Sequence, residues 1–92
     1  MSSEAQALLS EAQNILIDRG QQYGDADILF HQIAARFSLV LGFHVTAYQA
    51  ARLLAELKNA RMDLADTYNA DNALDAINYI AIAGAIADGK KA

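Results

Sequence analysis

Apolar residues recur with a period near 3.6 along most of the chain: at Ala5, Leu8, Leu9, Ala12, Ile15 and Leu16, then at Phe30, Ile33, Ala34, Phe37, Val40 and Leu41. That spacing puts each set on one face of an amphipathic helix. End signals bracket the segments. The first helix is expected to open at Ser3, where Ser3 and Gln6 have capping-box spacing, and to stop at Gly20. Gln21 to Gly24 reads as a short connection to a second helix, capped by Asp25 or Asp27 and ended by Gly42. A third begins at Thr46, where Gln49 completes a capping box and Val45 can staple against Ala50. It continues through Leu53, Leu54, Leu57 and Ala60 and stops near Asp63 to Ala65. Asp66 to Asn69 reads as a loop, and a fourth helix runs from Ala70 or Asp71 to Asp88, with Gly89 beyond it.

Four helices with short connections predict an all-α fold, a compact four-helix bundle forming one domain over residues 1–92. Two of the helices carry more apolar surface than one core uses. The fourth has a face of Ala73, Leu74, Ile77, Ile80 and Ala81 and an opposed one with Ile82 and Ile86. The second sets Ile28, Ala35 and Leu39 opposite Phe30, Ile33 and Phe37. Each large side chain left in water forgoes about 1.5–3 kcal/mol of burial. A homo-oligomer is therefore the expected state.

Composition narrows the function classes. Twenty alanines and no proline support the helical reading. A net charge of -4 with scattered Lys and Arg argues against nucleic-acid binding, which wants a basic face. Lys90 and Lys91 form the one basic run and read as solvated. The absence of cysteine removes disulfide and thiolate chemistry and fits a reducing cytoplasm. No apolar run is long enough to span a bilayer, so neither a membrane location nor a membrane partner is expected.

The polar positions that break the pattern carry the candidate chemistry. Arg61 follows Leu57 by four residues and Leu54 by seven, and Arg19 follows Ile15 by four and Ala12 by seven, so both fall on apolar stripes. A guanidinium pointed at a core needs carboxylates, a bound anion or a wet cleft, because it stays charged. Lys58 sits at the margin of the third helix's stripe and Glu56 on its other flank. On the fourth helix Asp71, Asp75, Asn78 and Ile82 align along one stripe near the helix start. A hairpin of the third and fourth helices would bring Lys58 and Arg61 toward Asp71 and Asp75. Two uses of such a charged bundle end are open: ion pairs that fix helix register, or a pocket in which cations bind phosphate while the carboxylates hold Mg²⁺, with Glu56 a candidate third ligand. Tyr23, between Gly20 and Gly24, can stack on a base or plug the bundle end. His31 and His44 have no third ligand at metal spacing and read as locally hydrogen-bonded or solvent-facing.

The ordered set Arg19-Gly20-x-x-Tyr23-Gly24-Asp25, Lys58-x-x-Arg61 and Asp71-x-x-x-Asp75-x-x-x-Tyr79 resembles a family of small, uncharacterised proteins of bacteriophages and prophages, over roughly residues 12–83. More loosely, it is similar to phage nucleotide-modification-associated domains and to the MazG-like nucleoside triphosphate pyrophosphohydrolases. The latter are helical, usually oligomeric, and use Mg²⁺ held by E-E-x-x-E and E-x-x-D elements. That similarity implies Glu56 for part of the first element and Asp71 and Asp75 for the second. Arg52 and Leu53 stand where paired glutamates would precede Glu56, and the second element reads D-x-x-x-D. Fewer carboxylates neutralise less of the metal's charge.

The expectation is a cytoplasmic accessory protein, in the host cytoplasm if phage-encoded, that binds a nucleotide or another phosphorylated small molecule. Arg19, Tyr23, Lys58 and Arg61 are its candidate ligand contacts, and Asp71, Asp75 and Glu56 its candidate Mg²⁺ ligands, with pyrophosphohydrolase chemistry as the extension. The alternative is a non-catalytic helical protein that docks on a host or phage protein.

Overall fold

The computed structural model describes residues 3–89, apart from the Tyr23 side chain. Lys90 and Lys91 lie outside the described residues. Four helices follow one another, α1 (Ser3–Tyr23), α2 (Ala26–Leu41), α3 (Ala47–Ala65) and α4 (Ala70–Ala87), with no strand among the described residues. None of them is long and apolar enough to cross a membrane.

Three of the helix boundaries follow the local chemistry read above. Asp25 caps α2 by accepting the Asp27 N–H at 2.9 Å, and Gly42 ends it in the left-handed region at φ 81°. At α3, Thr46 Oγ1 accepts from the Gln49 N–H and Gln49 Oε1 from the Thr46 N–H, at 3.1 and 2.9 Å. Asn69, read from the sequence only as loop, also proves to be a cap, accepting the Asn72 N–H of α4 at 2.9 Å.

The first helix departs from expectation at its C-terminal end. Its start at Ser3 is the expected one, with the Ser3 hydroxyl donating to Glu4 Oε2 at 3.5 Å. Gly20 does not stop the helix, which continues to Tyr23. The stop moves to Gly24, whose φ of 84° is the left-handed conformation a helix terminus uses and whose N–H closes the last turn on the Gly20 carbonyl at 2.9 Å. A glycine lowers helix propensity but ends a helix only where the chain must turn.

Packing is organised around α3 and its partner α4. The fourth helix lies most extensively against α3, to which residues 66–69 join it as a hairpin, and also against α1, while α2 packs on α3. A helix flanked on two sides has use for two apolar faces. The second face read on α4 is accordingly core: Ile82 is 7% exposed and Ile86 packs against the same cluster. Ile80 and Ala81, grouped by periodicity with Leu74 and Ile77 on the other face, are exposed. On α2 the outer set Ile28, Ala35 and Leu39 is exposed while Phe30 and Ala34 are buried.

The inner face of α3 is also displaced from the stripe read in the sequence. Ala47, Ala50, Ala51 and Ala55 are buried, whereas Leu53, Leu57 and Ala60 are exposed. Small side chains let neighbouring helix axes approach toward the short end of the ~8–10 Å range. Arg61, placed on a stripe defined by Leu57, therefore emerges in solvent. The central cluster is Phe30, Ala47, Ala51, Ile82 and Ala83, with Leu16, Ile33, Leu54 and Tyr79 packed around it.

Candidate functional site

A cavity of about 450 Å³ opens where the end of α1 meets the start of α2 and the middle of α4. Its volume lies in the range of small-molecule sites. From α1 come Ile15, Leu16, Arg19 and Gly20; from the connection and α2, Gly24, Asp25, Ala26, Leu29, Phe30 and Ile33. Leu54 of α3 and Asp75, Asn78, Tyr79 and Ile82 of α4 complete the wall. The extra turn of α1 beyond Gly20 matters here, because it carries the chain past the cavity before Gly24 turns it into α2.

The polar groups of the wall differ in how fully they are engaged. Asn78, 9% exposed, donates its Nδ2–H to the Ala12 carbonyl at 3.0 Å and so fastens α4 to α1. Asp75 is held by Lys58, whose Nζ lies 3.0 Å from Oδ2, with the two side chains only 14% and 22% exposed. Asp25 serves as the α2 cap. Tyr79 meets Phe30 edge-on, with ring centroids 6.0 Å apart at an interplanar angle of 64°. Arg19 is exposed at the rim and forms no ion pair among the described residues.

The sequence-derived constellation is thus brought together in part. Lys58 and Asp75 meet, as the hairpin argument required, and Arg19 shares a cavity with Asp75. Arg61 and Asp71 do not reach that wall; both are exposed. Tyr23 closes α1 with its backbone, and its side chain lies outside the described part of the structure. Glu56 is exposed, accepts from Asn59 Nδ2 at 3.2 Å, and borders a separate groove with Leu41 and Phe43. The physical reason is angular: Glu56 and Lys58 are two positions apart, about 200° around the helix. Among the described residues no three His, Cys, Asp or Glu side chains gather as a metal site. Glu56, Asp71 and Asp75 therefore do not gather into one three-carboxylate cluster. His31 is exposed and hydrogen-bonds the Asp27 carbonyl at 2.8 Å, a local contact on its own helix.

Sequence reasoning did not identify the apolar half of the site. Phe30, Ile33 and Leu16 read simply as core, and Tyr79 entered only as the end of a motif. The usable signal was the stripe Asp71, Asp75, Asn78 and Ile82, whose polar members face inward in the folded chain from Asp75 onward.

The family model described as Domain of unknown function (DUF6378) matches residues 7–87, a span that includes every wall residue of the cavity. No curated protein and no solved structure matches the chain.

Proposed function

This chain belongs to the DUF6378 family, a domain of unknown function, and for it we propose a binding role: the cavity between α1, α2 and α4 takes a nucleotide or a similar phosphorylated small molecule. The observation that carries the reading is the Arg19 guanidinium, without an ion pair among the described residues, on the rim of a chamber walled by Phe30 and Tyr79. A guanidinium presents a planar fork of donors that matches two phosphate oxygens. The apolar wall suits a planar base, and Asn78 and Asp75 supply polar edges beside it. Lys58 has a different part, neutralising Asp75 so that the wall does not repel an anion.

The looser similarity of the motif set to phage nucleotide-modification-associated domains points to the same ligand class, and we propose a cytoplasmic location, where such ligands are abundant. Binding without hydrolysis is proposed, because Glu56, Asp71 and Asp75 form no three-carboxylate cluster among the described residues. A melting-temperature panel tests the reading with inorganic phosphate and nucleoside mono-, di- and triphosphates, each with and without Mg²⁺. Ligand at about ten times Kd adds about 1.4 kcal/mol, a shift of several degrees for a domain of this size. The reading predicts a dose-dependent rise with nucleotide that does not require Mg²⁺. Flat melts at millimolar ligand would overturn it.

A further inference from the structure

A row of leucines runs along the outer side of α3. Leu53, Leu57 and Leu64 are 46%, 46% and 87% exposed, and Ala60 between them is exposed too. They follow one another at intervals of four, three and four residues, the spacing of the a and d positions of a coiled-coil seam. The inward face of the same helix is a different one, carrying Ala47, Ala51, Ala55 and Lys58, so neither α2 nor α4 covers the seam.

The interior gives an independent reason for a missing contact. Among the described residues, seven of the eleven buried apolar ones are alanine, and no large side chain is completely enclosed. The radius of gyration is 13.9 Å, against about 12 Å for a compact chain of this length. Much of the large apolar surface faces outward.

Charge flanking the seam indicates what covers it. With Leu57 and Leu64 at a positions and Leu53 and Ala60 at d, Glu56 occupies g and Arg61 the following e. Across a parallel pair of identical helices, a g residue meets the e residue five positions later on the other strand. An antiparallel pair would instead face one g flank with the other, bringing Glu56 against the acidic Asp63 of the second copy. We propose that α3 pairs, parallel and in register, with α3 of a second copy of this chain, with Glu56 of each copy opposite Arg61 of the other. Leu41 and Phe43, 51% and 64% exposed in a groove beside Leu53, extend the contact. Two heptads remain a small area beside the ~800 Å² per partner of a standard interface, so the pairing is concentration-dependent.

Sedimentation equilibrium on the full chain reads the mass directly, and it is expected to rise from monomer to dimer between micromolar and millimolar protein. Leu57→Glu with Leu64→Glu should hold it at monomer. Glu56→Arg and Arg61→Glu should each weaken association several-fold, and the two together should restore it. Because the chain has no cysteine, Ala60→Cys offers a second reading on a chain with its leucines intact. In parallel register each new thiol faces its own copy, and oxidation should give a linked dimer much faster than Ala35→Cys on the outer face of α2. A wild-type chain that stays monomeric at millimolar concentration, a dimer that persists in the doubly charged variant, or equal coupling of the two cysteine variants would overturn the proposal.

Discussion

Lys58 of α3 and Asp75 of α4 form a 3.0 Å ion pair that is largely shielded from water. It explains why the polar stripe of α4 faces inward: the carboxylate is matched by a cation from the neighbouring helix, and Asn78, one turn on, is matched by a carbonyl of α1. Polar groups so satisfied set helix register, since sliding α4 by one turn would separate both pairs.

Removing one partner should therefore cost more than removing both. Lys58→Met leaves the Asp75 carboxylate in a half-buried wall without its cation, and should lower unfolding free energy by about 1–2 kcal/mol, reduced from the fully buried case because both groups keep some solvent. Lys58→Met with Asp75→Leu should recover much of that loss. Urea denaturation of the wild type, Lys58→Met, Asp75→Leu and the double variant gives the coupling, and strictly additive losses would mean that the pair does not act as a unit.

At Asn78 the prediction concerns chemistry at constant shape. Asn78→Asp replaces an N–H donor by an oxygen facing the Ala12 carbonyl and buries a charge, so a loss of about 2–4 kcal/mol is expected, the upper part of the range at neutral pH. Asn78→Ser should cost less. Chemical melts at pH 7 check the order, and a neutral Asn78→Asp variant would contradict the assigned hydrogen bond.

Glycines in two conformations should respond with opposite signs. Gly20 is interior to α1, and a Cβ built there meets nothing within 4 Å, so Gly20→Ala should raise stability by about 0.5–1 kcal/mol. Gly42 holds φ 81°, and Gly42→Ala should lower stability by about 1 kcal/mol although the space is equally open. Thermal melts of the two variants are sufficient. A destabilising Gly20→Ala would restore the view that α1 ends at Gly20.

Much of this architecture is written in local signals. The Thr46 and Gln49 box, the Asp25 cap and the Gly42 stop each satisfy helix-end groups by themselves, so they can be read without knowing the fold. Which face turns inward is different, because it depends on partners distant in sequence. The leucines of α3 outweigh its alanines in any hydrophobic pattern, yet the alanines are inside because close helix approach favours small residues there. Arg61 was misplaced for that reason. Lys58 and Asp75 were legible as a pair because a short loop forces the two helices side by side; the cavity was not, because it needs α1 to run past Gly20 and α4 to sit between two neighbours.

Arg19 lies at the centre of the functional account, and its exposure makes it separable from folding. Arg19→Ala should leave the melting temperature of the free protein within about a degree, since an exposed side chain without an ion pair contributes little. An amide NMR titration with nucleotide, run on wild type and on Arg19→Ala, addresses the claim most directly. The account predicts saturable shifts centred on Gly20, Gly24, Asp25 and Tyr79 in the wild type, with affinity at least tenfold weaker in the variant. Absence of saturable shifts at those amides, or equal affinity in the two proteins, would contradict it.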